Sequence, residues 1–404
     1  MEKFGSIRTA AFRSRLFSKE QEKSAHVQAK VYRLSMAHPG DLTALATLLA
    51  TGEIEAQEIV AVIGKTEGNG GVNDFTRGFF TDRLMTLLSN YLDDSPEKIA
   101  RTVPCILSGG TEGVLSPHYA VLCRSKVGGE KRENESALAI GATCSEDMPF
   151  EFVGTVEHAR IVAETVKAAM ADAGITDPAD LHFVQVKAPC LTSDRIAELR
   201  EAGKPVPAPT ASASMARARA AGALGVALAT GEIDEASLCD EAFLKDFNLF
   251  STCASISSGV EVLCNEVVVL GMSSSWGGPL RIAHRAMEDA LDVTAVRDVF
   301  SDLGFTNGIQ ISEADRERLK AIFVKCEPDQ SGFIHGARHT MLNDTDIDPQ
   351  RHIRGAVGGL VAGVSGDTRI FVSGGAEHQG PFGGGLIAVI AEAPAVEQTE
   401  GQEA

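Results

Sequence analysis

Three times along this chain, an apolar, β-branched run ends on lysine, an arginine follows in a polar or Gly/Ala-rich segment, and a second apolar run ends on serine. The lysine runs are EIVAVIGK to Lys65, DLHFVQVK to Lys187 and LKAIFVK to Lys325, and the arginines are Arg77, Arg219 and Arg354. The serine runs align Ser108-Gly109-Gly110-Thr111-Glu112 with Ser257-Ser258-Gly259-Val260-Glu261 and with Ser373-Gly374-Gly375-Ala376-Glu377. Taken singly these pieces mean little. Ser-Gly-Gly marks a tight turn, a lysine at a strand end is usually solvated, and a helical arginine is usually in a surface ion pair. An ordered triple spelled three times is instead the signature of an internal repeat.

Helical patterns such as HARIVAETVKAAMADAG and AVRDVFSDLG stand ahead of the later lysine runs, so the chain reads as α/β. Composition turns polar or Gly-rich in SKVGGEKRENES and SSSWGGP, which divides the chain into units at 31–127, 135–272 and 278–394. Three similar α/β units pack most simply about a pseudo-threefold axis, with equivalent strand ends converging on one central active site. Residues 1–30 carry seven Lys or Arg against three Glu and read as a flexible extension, with organelle targeting left open; 395–404 form an acidic tail.

Net charge of −18 and the lack of a long basic run argue against nucleic acid or an anionic membrane as the main partner. No apolar stretch approaches the roughly 18 residues of a membrane helix. Eight cysteines without a CxxC pair read as buried free thiols of a reducing, cytoplasmic compartment, and the ten histidines show no HExxH spacing. GKTEGNGG at 64–71 imitates a phosphate loop, but Ile59 stands where the pattern needs glycine.

Lysines, arginines and serines around one axis form a cationic, hydrogen-bonding cup. Neighbouring charge and burial lower a lysine pKa, and a neutral lysine beside serine can serve as its general base. Glycine after serine lets backbone N–H groups approach a carbonyl oxygen. The expected substrate is a small, flat, partly anionic molecule with several carbonyls, and the reaction class is amide hydrolysis by acyl transfer. So many cations call for an anion to offset them. A non-catalytic small-anion binding module is the alternative of another class.

AVIGKTEGNGGVNDFTR, SGGTEGVLSPH, LHFVQVK, ARHTMLNDTDID and VSGGAEHQGPFGGG resemble the ring-opening amidohydrolases, the cyanuric acid hydrolase and barbiturase family, from about residue 31 to 394. The resemblance implies three α/β units about a pseudo-threefold axis. It implies Lys187 as base and Ser257 as nucleophile, opening cyanuric acid to carboxybiuret, which decarboxylates to biuret. Arg77, Arg219 and Arg354, with Ser108-Gly109, Ser257-Ser258 and Ser373-Gly374, would hold the ring, and Lys65 and Lys325 would complete the set. No organic cofactor is implied. A structural divalent cation, magnesium, is, with ligands Glu327, Ala376, Gln379, Gly380, Pro381 and Gly384; oxygen-only ligation suits a hard cation. A homotetramer is implied as well. RHIRG at 351–355 and GGAEHQG at 374–380 favour the cyanuric acid branch over barbituric acid opening to ureidomalonate. The 30-residue N-terminal extension is a departure from the family core.

Overall fold

The computed structural model describes residues 8–9, 26–128, 135–305 and 308–394. The acidic tail at 395–404 lies outside the described residues, as does most of the N-terminal extension. The first unit nevertheless starts earlier than its composition suggests. His26–Ser35 is a strand in which Ala29 and Val31 are buried, so part of the basic stretch belongs to a sheet.

The main elements of each unit follow one order, β-α-β-α-β-β, beside one shorter helix per unit (Pro96–Ala100, Ser193–Glu201 and Glu313–Arg316). The first comprises β1 (His26–Ser35), α1 (Thr43–Ala50), β2 (Ile59–Thr66), α2 (Phe75–Ser89), β3 (Cys105–Gly109) and β4 (His118–Val127). The second comprises β5 (Ala137–Cys144), α3 (Val156–Ala173), β6 (Leu181–Pro189), α4 (Ala211–Thr230), β7 (Ala254–Gly259) and β8 (Glu266–Ser273). The third comprises β9 (Leu280–Met287), α5 (Val293–Asp302), β10 (Leu319–Cys326), α6 (Pro349–Ser365), β11 (Phe371–Gly374) and β12 (Gly385–Glu392).

The sheets repeat one topology: β1-β4-β2-β3, β5-β8-β6-β7 and β9-β12-β10-β11. In each, the lysine strand runs parallel to the serine strand and antiparallel to the last strand of its unit. The register irregularity recurs as well, between Ile59 and Ala61, Leu181 and Phe183, and Leu319 and Ala321. Short strands at Arg8–Thr9 and Trp276–Gly277 add to the edges of the second and first sheets.

Strand periodicity then decides where the lysines point. Ala61 and Ile63 on β2, and Ala321 and Phe323 on β10, lie in one apolar core shared by all three units, whereas Val62, Ile322 and Val324 face the helix-covered clusters of their own units. Side chains two apart share a face, so Lys65 and Lys325 continue the row that enters the shared core. Phe183 stacks on Phe323 at 4.8 Å, and two residues on from Phe183 and again from Gln185 comes Lys187. The arginine helices are fixed by their starts. Asp74 accepts from Thr76 N, Thr210 from Ala213 N, and Asp348, ahead of Pro349, from Gln350 N.

Candidate active site

Cross-strand register makes each lysine face its serine: Lys65 opposite Ser108, Lys187 opposite Ser257, and Lys325 opposite Ser373. All three lysines are buried, at 0%, 2% and 0% exposure. Lys65 Nζ donates to Ser108 Oγ and Gly109 O, both at 3.1 Å. Lys325 Nζ donates to Ser373 Oγ and Gly374 O at 2.9 Å and to Ile256 O at 2.6 Å. Glycine at 109 is obligatory, because a Cβ there would meet Asp74 Oδ2 at 1.6 Å. The second unit departs from this pattern. Lys187 Nζ lies 2.6 Å from Glu261 Oε1, as an ion-pair contact not aligned as a hydrogen bond, and Ser257 Oγ accepts instead from Gln185 Nε2 at 3.5 Å.

The arginines are matched, one each, by the glutamates that close the repeated serine motif. Arg354 grips Glu112 in two bonds of 2.9 and 2.6 Å, and Arg219 grips Glu377 in two of 2.7 and 2.5 Å. Arg77 Nε stands 3.4 Å from Glu261, a looser pair, while its guanidinium also donates to Gly71 O at 2.9 Å. The pairs run in a cycle: the glutamate of each unit takes the arginine of the unit before it. These glutamates are the counter-charges that counting cations passed over, although each ends a motif quoted for its serine. They offset the arginine charge within the protein and leave that of the lysines.

Burial, and then the nearby Arg354 charge, push Lys65 well below the ordinary lysine range; burial, and then Arg219, bring Lys325 down to about 7. Lys325 nonetheless has three acceptors, one for each proton of an ammonium group. To act as a base it would have to give one up. Burial alone would raise the Glu261 carboxyl, but Lys187 and Arg77 hold it down at about 2. The depressed Lys65 has a measurable consequence. The unfolded chain holds this proton up to about pH 10.4 and the folded chain gives it up earlier, so stability from Lys65 rises with pH in that window. In Lys65→Met the slope is gone. The unfolding free energy of wild type relative to this variant should rise by up to about 1.4 kcal/mol per pH unit as pH increases toward that limit. A flat difference in denaturant titrations would mean Lys65 keeps its proton in the folded state.

A cavity of about 410 Å³ adjoins Arg219 and Arg354, with walls from all three units: Asn69–Gly71, then Met215 and Arg219, then Gln350, Arg354 and Gly374; the three lysines and their serines do not line it. The stretch that imitated a phosphate loop is thus a wall of this cavity, its Gly70 N–H held by Asp74 at 2.8 Å. A larger cleft of about 860 Å³ beside α3 contains none of these residues.

The suggested cation ligands also come together. Glu327 N donates to Gly384 O at 3.3 Å, Gly384 N to Pro381 O at 2.9 Å, and Gln379 N to Ala376 O at 2.8 Å. Burial and then the neighbouring Glu377 raise the Glu327 carboxyl to about 8, which marks a carboxylate short of positive charge. Gln379 Oε1 already accepts from Ile256 N at 2.7 Å, so its main-chain oxygen is the donor left to it. A buried carboxyl beside a loop that offers main-chain carbonyl oxygens is the donor chemistry a hard cation takes. Among the described residues there is no cluster of three or more His, Cys, Asp or Glu side chains suited to a softer metal. The cysteines are free, but burial holds for only four: Cys123, Cys190, Cys253 and Cys326 are buried, Cys105, Cys144 and Cys264 partly so, and Cys239 is exposed.

Buried lysines set against serines, with paired arginines beside a small cavity, are groups suited to amide hydrolysis. The chain belongs to the ring-opening amidohydrolase family, whose model matches residues 30–392, and it is an amidohydrolase. It is 48% identical over 363 residues to a cyanuric acid amidohydrolase of Azorhizobium caulinodans, covering 90% of this chain and 98% of that one. It is 49% identical over 366 residues to one of Rhizobium johnstonii, covering 91% and 98%. The crystal structure of the A. caulinodans cyanuric acid hydrolase superimposes with a TM-score of 0.83 at 48% identity, covering 91% of this chain and all of that one. A second solved cyanuric acid hydrolase gives 0.87 at 43% identity, with coverage of 91% and 100%. Among the described residues, no helix is long and apolar enough to cross a membrane.

Proposed function

We propose that the protein opens the ring of cyanuric acid, with Ser257 as nucleophile and Lys187 as its base, in a site centred on a pseudo-threefold axis. The observation that carries the dyad is the asymmetry of the second unit. Ser108 and Ser373 each accept from a lysine that also holds a peptide carbonyl, so they are fixed hydrogen-bonding groups. Ser257 is not held by its lysine, and Lys187 needs only to turn from Glu261 to reach it. The identical sheet orders and the cyclic Arg–Glu pairs support the axis.

In this reading Lys187 takes the Ser257 proton as Oγ attacks a ring carbonyl, and returns it to the ring nitrogen as the C–N bond breaks. Water then hydrolyses the acyl-enzyme, releasing carboxybiuret, which loses carbon dioxide to give biuret. The remaining carbonyls and N–H groups meet Ser108, Ser373 and the arginines. The Ile256 peptide is held at its N–H by Gln379 and at its oxygen by Lys325, which fixes the strand position of Ser257. Curated relatives named cyanuric acid amidohydrolase support the substrate. The test is a panel of cyanuric acid, barbituric acid and plain cyclic imides. Turnover confined to cyanuric acid upholds the proposal, turnover of barbituric acid alone moves the protein to the other branch, and tight binding without turnover makes it a binding module.

A divalent cation held by Glu327 and carbonyl oxygens of Ala376, Gln379, Gly380, Pro381 and Gly384 would neutralise the buried carboxylate and brace this loop. Chelation or Glu327→Ala should therefore lower the melting temperature more than it slows the chemical step. Loss of catalysis at unchanged stability, read by single-turnover kinetics beside thermal unfolding, would point to a catalytic ion instead.

A further inference from the structure

Two cysteines meet at one end of the second sheet. Cys144 closes β5 opposite Glu266, the first residue of β8, and the two stretches run on side by side past the strand ends. Ser145 N donates to Asn265 O and Asn265 N to Ser145 Oγ, both at 2.9 Å, and Met148 N donates to Leu263 O at 2.9 Å. Cys264 stands two residues ahead of Glu266, where alternation returns it to the Cys144 face. The Cys144 thiol hydrogen-bonds the Cys264 sulfur there, and the charge of Arg101, from the first unit, acts on both. Both cysteines are partly exposed, whereas inert structural thiols are buried. The loop they tether carries Glu261, three residues before Cys264, and Glu261 holds Lys187 at 2.6 Å and Arg77 at 3.4 Å.

We propose that Cys144 and Cys264 are a redox modification site, at which hydrogen peroxide joins the two sulfurs in a reversible disulfide that displaces the Glu261 loop and slows the enzyme. The hydrogen bond between them lowers the Cys264 thiol and raises that of Cys144, so Cys264 attacks and Cys144 resolves. The Cys264 sulfur attacks one peroxide oxygen, the O–O bond breaks, and the departing hydroxide takes the thiol proton as water. Cys144 then attacks the sulfenic sulfur, the S–O bond breaks, and the second hydroxide leaves with the Cys144 proton. Two thiols lose two electrons and one peroxide becomes two waters. The sulfurs must close from hydrogen-bonding separation to about 2.05 Å. Cys144 is held in a sheet ladder, so the loop ahead of β8 takes up the movement. In a reducing compartment such a bond is transient, as a sensor requires.

The test is treatment of the full chain with hydrogen peroxide, followed by mass spectrometry of unreduced peptides and by turnover of cyanuric acid. A peptide joining Cys144 to Cys264 should form. Turnover should fall by about tenfold or more, since a displacement of about 1 Å at a site costs rate on that scale. Dithiothreitol should reverse both changes. Cys144→Ser and Cys264→Ser should turn over substrate as wild type does and keep that rate after peroxide, and Cys144→Ser should leave a trappable sulfenic acid on Cys264. Thiols that stay unjoined, or serine variants slowed by peroxide as much as wild type, would overturn the proposal. So would a cross-linked protein with unchanged turnover, because the loop would then carry no signal. The slowing rests on the reading of Lys187 as base, whereas the cross-link does not. Ser257→Ala keeps the two apart. It should form the same cross-link without turnover; if it turns over substrate, the dyad falls, and the peptide and its reversal still decide the thiol pair.

Discussion

Ser257→Ala and Lys187→Met should each lower kcat by about 10³-fold or more, and combining them should cost no more than either alone. The non-additivity follows from the chemistry, since a base without a nucleophile and a nucleophile without a base are equally idle. The fold should survive both changes. Ser257 Oγ has one long contact, to Gln185 at 3.5 Å, and Glu261 keeps Arg77 at 3.4 Å once the ammonium is gone. Ser108→Ala and Ser373→Ala supply the contrast. Each removes an acceptor from a lysine already bonded to a peptide oxygen, so KM should rise with kcat less affected. Steady-state kinetics on the four variants, with circular dichroism for folding, decides the matter. If Ser257→Ala kept more than about a tenth of wild-type kcat while Ser373→Ala or Ser108→Ala lost it, the nucleophile would belong to another unit.

The lysine and serine strands were legible because a strand carries its burial pattern in a period of two, and the repeat supplied three independent copies. The arginines were legible as members of the same ordered set. Their partners were not, for a topological reason. Arg219 and Glu377 stand 158 residues apart, and Arg354 and Glu112 stand 242 apart, so which glutamate meets which arginine depends on how the units close on one another. A glutamate closing all three serine motifs was a signal nonetheless, and it pointed to the missing counter-charge. The N-terminal boundary was obscured by composition. HVQAKVYRLS carries three basic side chains in a strand whose alternate residues are buried, and its excess of charge concealed the alternation.

Glu112→Ala should destabilise the protein by about 3–5 kcal/mol, as removal of one partner from a buried ion pair generally does. The pair qualifies as buried, with side-chain exposures of 6% for Arg354 and 9% for Glu112, and its two-bond geometry is the strong form of such a contact. Arg351, itself half exposed, also reaches Glu112 at 3.2 Å but cannot take over Arg354's position. Arg354→Lys should recover little, because an ammonium cannot make both bonds in one plane. Replacing both partners with apolar residues, Arg354→Met with Glu112→Leu, removes the uncompensated charge and should restore most of the stability. That double variant should remain inactive, since Arg354 lines the cavity and the substitution removes its guanidinium donors. The acid limb of stability follows from the same pair. Burial alone would raise the Glu112 carboxyl, but Arg354 holds it below the usual range. Its contribution is therefore complete above the unfolded value of about 4.3 and is lost as pH falls through the lower folded value. Denaturant unfolding at pH 7 and pH 3, with turnover measured on the same samples, tests both halves. A Glu112→Ala protein as stable as wild type would make the pair an ordinary surface contact. A stable double variant that still turned over substrate would remove Arg354 from the site.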